Sequence, residues 1–249
     1  MTLKPHFALS FGVAALWAFL SPAALPGAGC GQIKPDATDA VAAAPGNHKV
    51  ILENDTVRVL EATVPLHATE LPHTHFWPSV FFEQTSGVNE PWKTVKIRWS
   101  PARPAKGYVD SDHDRHNLLV ELKTVDCQPV SNPELPAADA VNIHDPNISV
   151  VLENAYVRVL SIRTPPGEKD PFHTHTWPAV TVHFGMPASQ RLSPDGKKTP
   201  QPEYKGLRVT FDPSSQPIHS IENVGTVMNQ GYRIEIKPTT KVAAANPAP

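Results

Sequence analysis

Short runs in which apolar and polar residues alternate recur along this chain, and they fall into two sets spaced one hundred residues apart. In the first set, Val50-Ile51-Leu52 leads through a polar turn at Glu53-Asn54-Asp55 into Val57-Arg58-Val59-Leu60. Val80-Phe81-Phe82, Thr94-Val95-Lys96-Ile97-Arg98-Trp99 and Leu118-Leu119-Val120-Glu121-Leu122-Lys123 continue it. A period of two broken by short polar turns predicts strands. The second set predicts strands at 149–152, 156–163 and 179–184, followed by Leu207 to Phe211 and Tyr232 to Lys237. Between 51–80 and 151–180, 14 of 30 positions are identical without a gap. Repetition at a fixed period takes precedence over local signals, so the chain reads as two copies of one module of roughly 90 residues.

The repeat divides the chain. Residues 47–124 form the first module and 144–238 the second, joined by a linker at 125–143 rich in Pro, Asn, Ser and Ala. Residues 30–46 read as a flexible arm and 239–249 as a disordered tail. At the front, Lys4, the apolar run Phe7 to Leu20 and the small residues that follow have the form of a signal peptide over 1–29. That run is shorter than the roughly 20 residues a spanning helix needs. The expectation is export, to the periplasm or outside, with no transmembrane segment after cleavage. Lipidation at Cys30 is not favoured, because Gly27 stands where an aliphatic residue belongs.

Composition agrees with this reading. The chain of 249 residues has 28 Pro and only 3 Met, which suits strands and turns. A net charge of −2 and the absence of a basic run exclude a nucleic-acid footprint. An antiparallel barrel or sandwich per module follows, and closing a barrel removes exposed strand edges.

Chemistry enters through histidine. Each module carries a His-x-His pair, His73-Thr74-His75-Phe76-Trp77-Pro78 and His173-Thr174-His175-Thr176-Trp177-Pro178. On a strand, residues two apart face the same side about 7 Å from each other. Such a pair converges on a metal only if a third ligand arrives from elsewhere. In the second module the candidate is His219, within Pro217-Ile218-His219-Ser220-Ile221-Glu222-Asn223.

His-x-His followed by His-x-x-x-Asn in this order resembles the two motifs of the cupin superfamily, and the likeness covers about two-thirds of the chain. It implies an all-β protein of two tandem cupin-type antiparallel β-barrels, jelly-roll-like, with His173, His175 and His219 binding a divalent metal. Fe, Mn, Zn and Ni are not distinguished by such ligands. The chain departs from the family where a metal-binding Glu is usual: Ser79 and Ala179 occupy that place. Ser214 and Gln216 replace a usual Pro and Gly.

Counting back from Glu121 as the equivalent of Glu235 puts the counterpart of His219 at Ala105, or near Gly107 if a two-residue gap is allowed. His73 and His75 then lack a third imidazole, and Glu83 completes at most a weak second site. In the second module, His183 and Thr181 share a strand face with Ala179, and with Asn223 they are further candidates for the pocket. His48, His67 and His144 receive no role. Trp77 and Trp177 are expected to cap a barrel core.

Three functional classes stay open. One is an exported protein that binds a metal, a small molecule or both in the second barrel. Another is a mononuclear metal enzyme of dioxygenase or isomerase type. The third is a structural or ligand-binding envelope protein without metal. A small molecule is the expected partner, and a homodimer is compatible with the sequence.

Overall fold

The computed structural model describes residues 33–84, 95–123, 127–131 and 133–241. The expected signal peptide and Cys30 lie outside them. Module one comprises α1 (Ala40–Ala43), β1 (His48–Glu53), β2 (Val57–Val64), β3 (His73–His75), β4 (Ser79–Gln84), β5 (Val95–Ser100), β6 (Arg103–Ala105) and β7 (Arg115–Leu122). After β8 (Cys127–Pro129), module two follows with β9 (Ile148–Glu153), β10 (Val157–Thr164), β11 (His173–His175) and β12 (Ala179–Met186). It continues through β13 (Ser189–Leu192), β14 (Lys198–Gln201), β15 (Tyr204–Asp212), β16 (Gln216–Asn223) and β17 (Asn229–Ile236), and β18 (Thr239–Lys241) ends the described chain.

Each module builds the same five-stranded antiparallel sheet, β1-β2-β7-β4-β5 in one and β9-β10-β17-β12-β15 in the other. A smaller sheet faces it: β3-β6 in module one and β11-β16-β13-β14 in module two. The protein is therefore all-β, two tandem antiparallel barrels. In module two a polar stretch after β13 turns back as β14 and pairs with it in a hairpin. Among the described residues, no helix is long and apolar enough to cross a membrane.

The central strands of the large sheets are buried on both faces, for two different reasons. Val57, Val59, Val80, Phe82, Leu118, Val120 and Leu122 form one continuous apolar cluster with Val157, Val159, Val180, Val182, Tyr232, Ile234 and Ile236 of the other module. Thus the apolar face of each sheet turns outward, against its sister barrel. Phe82 meets Tyr232 edge-on with centroids 5.4 Å apart, and Trp99 stacks on Tyr156 at 6.1 Å, tilted by only 2°. The alternate residues, including Arg58, Leu60, Ala62, Phe81, Leu119 and Glu121, face the barrel interior. Period two therefore sends a wholly apolar side to the partner barrel and a mixed side, which carries the charged groups, to the site.

Three sequence expectations change here. The arm is not free: Asp39, Ala40 and Ala44 are buried, and Asp39 bridges to Thr74. The end of the linker is likewise held, with Asp139 and Ala140 buried and Asp139 bridged to Thr174. The tail pairs over Thr239–Lys241 with Cys127–Pro129. In each case backbone hydrogen bonds to a barrel or to the inter-module segment order a stretch whose composition alone suggested none.

Removing the central aromatic of the inter-barrel cluster tests this account. Phe82→Ala is expected to lower unfolding free energy by about 3–5 kcal/mol, the usual cost of an aromatic cavity in a core, read from urea unfolding.

Candidate metal centre

In module two, β11 lies antiparallel to β16 with His173 opposite His219. That register, with Thr174 Oγ1 donating to the Gln216 carbonyl, brings His219 to the histidine pair. The ring centroids are 4.6 Å apart for His173–His219, 5.0 Å for His173–His175 and 5.7 Å for His175–His219. One ligand nitrogen from each lies within 4.8 Å of the others, and all three residues are buried.

Hydrogen bonding decides which nitrogen faces the centre. His173 Nδ1 lies 2.8 Å from the Pro171 carbonyl, and His219 Nδ1 2.9 Å from the Pro217 carbonyl. His175 Nδ1 lies 3.0 Å from Glu235 Oε1. Carbonyl and carboxylate oxygens accept, so each Nδ1 carries the hydrogen and donates, and each Nε2 is left as a lone pair. This is how ligating histidines are oriented at metal sites. Burial keeps the rings neutral: it pushes His173 down, His175 well down and His219 to about 3, with the positive Arg233 adding to the shift at His175 and Arg191 at His219.

A chain of buried charges holds His175 from behind. Arg158 Nε donates to Glu235 Oε2 at 2.6 Å, and its Nη2 donates to Asp139 Oδ1 at 3.0 Å. Module one repeats it: Arg58 binds Glu121 Oε2 at 2.6 Å and both oxygens of Asp39 at 3.0 and 2.8 Å, and Glu121 Oε1 takes His75 Nδ1 at 3.0 Å. Burial alone would lower the Arg58 pKa, yet these carboxylates outweigh it and raise it. Each guanidinium also lies over a Trp ring, Trp77 at 4.6 Å and Trp177 at 4.5 Å. Both Trp residues are buried, so they pack rather than stack on a ligand.

The histidines of module two open into a cavity of about 450 Å³, also lined by Thr181, His183, Arg191, Asp212 and Arg233. Arg233 is committed to Asp212 at 2.6 Å. Among the described residues, the Arg191 guanidinium makes two long contacts, 3.4 and 3.5 Å, to Gln216 Oε1. His183 lies against Gly231, where a Cβ would come within 2.6 Å of its ring, and burial lowers its pKa while a hydrogen bond to the Gln230 backbone opposes the shift. Asn223 does not line the cavity. Its amide donates to the Thr164 and Val227 carbonyls and its oxygen accepts from Gly225 N, so it holds a turn instead.

Module one corrects the sequence reading twice. Glu83 lies at the rim of its strand with its side chain about half exposed, 4.0 Å from Arg98, and does not join the histidines. The third imidazole is His48 of β1, to which no role was assigned; His48, His73 and His75 bring ligand nitrogens within 4.8 Å of one another. The count that put the counterpart of His219 at Ala105 agrees with the pairing of Ala105 with His73. A signal was present for the buried acids: Asp39-Ala40-Val41 recurs as Asp139-Ala140-Val141 in the same one-hundred-residue register. No such signal marks His48, because its counterpart is Ile148.

Compared with known proteins, the chain matches no family model and no curated protein. Among solved structures it is similar to a cupin domain from Bordetella pertussis Tohama I, at 24% identity and TM-score 0.32, over 36% of this chain and 92% of that one. It is also similar to AerE from Microcystis aeruginosa, at 13% identity and TM-score 0.42, over 77% and 98%. A salicylate 1,2-dioxygenase from Pseudaminobacter salicylatoxidans matches at 10% identity and TM-score 0.43, over 76% and 75%. At these TM-scores no substrate or metal transfers to this chain.

Two measurements probe the site. Asp139→Ala leaves Arg158 a buried cation short of one partner and should cost about 3–5 kcal/mol in urea unfolding. For metal-free protein, the pKa of His219 is about 3 folded against an ordinary 6.5. Below pH 6.5 the unfolded chain binds a proton that the folded chain refuses, so stability falls with acidification through this window. One such group contributes about 1.4 kcal/mol per pH unit, and His219→Asn should flatten the acid slope by that amount.

Proposed function

We propose that this chain is an exported two-barrel protein whose second barrel holds a divalent metal on His173, His175 and His219 and admits a small anionic ligand beside it. The observation that carries the reading is the set of three Nε2 lone pairs, each fixed by an Nδ1 donor bond, turned into one cavity. Lone pairs gathered in this way suit a cation, and three neutral imidazoles leave open positions on it. The donor set therefore fits a divalent transition metal without selecting one.

When bound, the metal supplies a Lewis acid that polarises a ligand oxygen or a coordinated water. The rest falls to the chain. With Ala179 in place of a metal-binding carboxylate, the site keeps the full charge of the ion and favours an anion. Arg191, held by long contacts to Gln216, presents a guanidinium that can pair with a ligand carboxylate. The cavity of about 450 Å³ accommodates a small molecule. Export rests on the basic start and the apolar run from Phe7 to Leu20.

A metal-dependent enzyme is the second reading. What favours it is His183, an imidazole on the wall of the same cavity that burial keeps neutral, the residue type most often used to move a proton.

Calorimetric titration of metal-loaded protein with small carboxylates and their uncharged amides tests the proposal. The carboxylates are expected to bind, and Arg191→Met to weaken them about 10- to 100-fold, the loss of a charged hydrogen-bonded contact. Equal binding of amides and carboxylates would exclude the anion site.

A further inference from the structure

We propose that the first barrel carries a second divalent-metal site, formed by His48, His73 and His75, whose third ligand comes from a different strand than in the second barrel. The two triads are nearly congruent. Ring centroids are 4.6 Å apart for His48–His73, 4.9 Å for His73–His75 and 5.5 Å for His48–His75. With His219 in the part of His48, the corresponding separations are 4.6, 5.0 and 5.7 Å. Yet His219 stands on β16, opposite the histidine pair, whereas His48 stands on β1 at the edge of the large sheet. At the exchanged positions the chain has Ala105 and Ile148. One ligand has moved from one wall of the barrel to another, and the triangle has been kept.

The tautomers follow the same rule as in module two. His48 Nδ1 is directed at the Ala44 carbonyl at 3.3 Å, His73 Nδ1 at the Leu71 carbonyl at 2.8 Å and His75 Nδ1 at Glu121 Oε1 at 3.0 Å. All three Nε2 atoms are therefore lone pairs. Those of His73 and His75 lie 3.1 Å apart, and two lone pairs at that distance repel unless a cation lies between them. Two ligands about 2.1 Å from one metal, at right angles or tetrahedrally placed, are themselves about 3.0–3.4 Å apart. The separation is that of neighbouring ligands on one ion.

A carboxylate stands close by. Glu70, buried in the loop before β3, places Oε1 3.7 Å from His48 Nε2. Its backbone is clamped to Tyr108 by two hydrogen bonds, 2.7 and 2.9 Å. Gly107, at φ +76°, permits this close approach, since a Cβ there would lie 2.4 Å from the Glu70 carbonyl oxygen. Three imidazoles and an acid thus line a cavity of about 280 Å³, with Arg103 and Arg115 also on its wall. Such a donor set takes a divalent transition ion.

Cobalt(II) titration of chelator-stripped full chain, followed by visible absorption and bound-metal analysis, tests this independently of the second barrel. Wild type is expected to bind two ions per chain, His48→Ile one and His219→Gln one. The His219→Gln variant isolates the first barrel, so a poorly folded His48→Ile does not weaken the test. Absence of cobalt from His219→Gln, or two ions still bound by a folded His48→Ile, would overturn the proposal. If instead His219→Gln keeps every ion that wild type binds, the second-barrel reading fails and this one stands.

Discussion

A guanidinium buried between two carboxylates, with an imidazole at the end of the row, is the interaction on which the rest of each barrel depends. Asp39–Arg58–Glu121–His75 and Asp139–Arg158–Glu235–His175 run through barrel interiors in which Arg58 and Arg158 are 4% and 2% exposed. Taking such groups out of water is costly, and the cost is offset only when every member is paired. The row therefore demands that four separate segments arrive together: the stretch before the first strand, the second strand of each large sheet, its central partner and the histidine strand. In satisfying the charge, the fold sets the ring. A carboxylate on Nδ1 fixes the tautomer and makes Nε2 a better donor to a metal. Burial raises the pKa of Glu235 while Arg158 and Arg233 oppose the rise, so the acid is held by its cations.

This partly polar interior is tolerated because the larger apolar cluster lies elsewhere. Val57 and Val59 of one sheet and Val157 and Val159 of the other meet between the barrels, together with Phe82, Tyr232 and Ile234. An isolated module would present that face to water, an apolar patch far larger than a small domain tolerates. Duplication supplies the missing cover, so each barrel can spend its inward face on charge and imidazole. Burial strips water from His48 and His219, which keeps both neutral and free to bind a cation near neutral pH.

Much of this was legible before any coordinates. Strand alternation, the register of the repeat and the two His-x-His pairs are local patterns, and His219 could be matched through its motif. What escaped was set by tertiary geometry. Asp39 and Asp139 sit in Ala- and Pro-rich stretches whose composition suggests disorder, although their three-residue identity kept the repeat's spacing. His48 could not be found from the repeat, because repetition guides the eye to Ile148, where the second copy has no imidazole. Glu83 has the right strand parity and the wrong depth, two residues past Phe81 towards the rim. Asn223 has the right motif position, but a short amide surrounded by carbonyls satisfies the turn before it can reach the cavity.

The two barrels diverge in where the third imidazole stands, and that choice determines what space remains. In the second barrel His219 comes from the small sheet, which β13 and β14 widen to four strands, and the cavity opens to about 450 Å³ with Arg191 at its wall. In the first, His48 comes from the large sheet, and the opposing β3-β6 pair is short. Glu70 presses in behind Gly107, and about 280 Å³ is left. Both cavities carry charge of either sign, Glu70 with Arg103 and Arg115 in the first and Asp170 and Asp212 with Arg191 and Arg233 in the second, so it is volume more than charge that tells the two apart. A single duplicated scaffold thus keeps one triangle of imidazoles while the wall that supplies the third ring sets the room beside it.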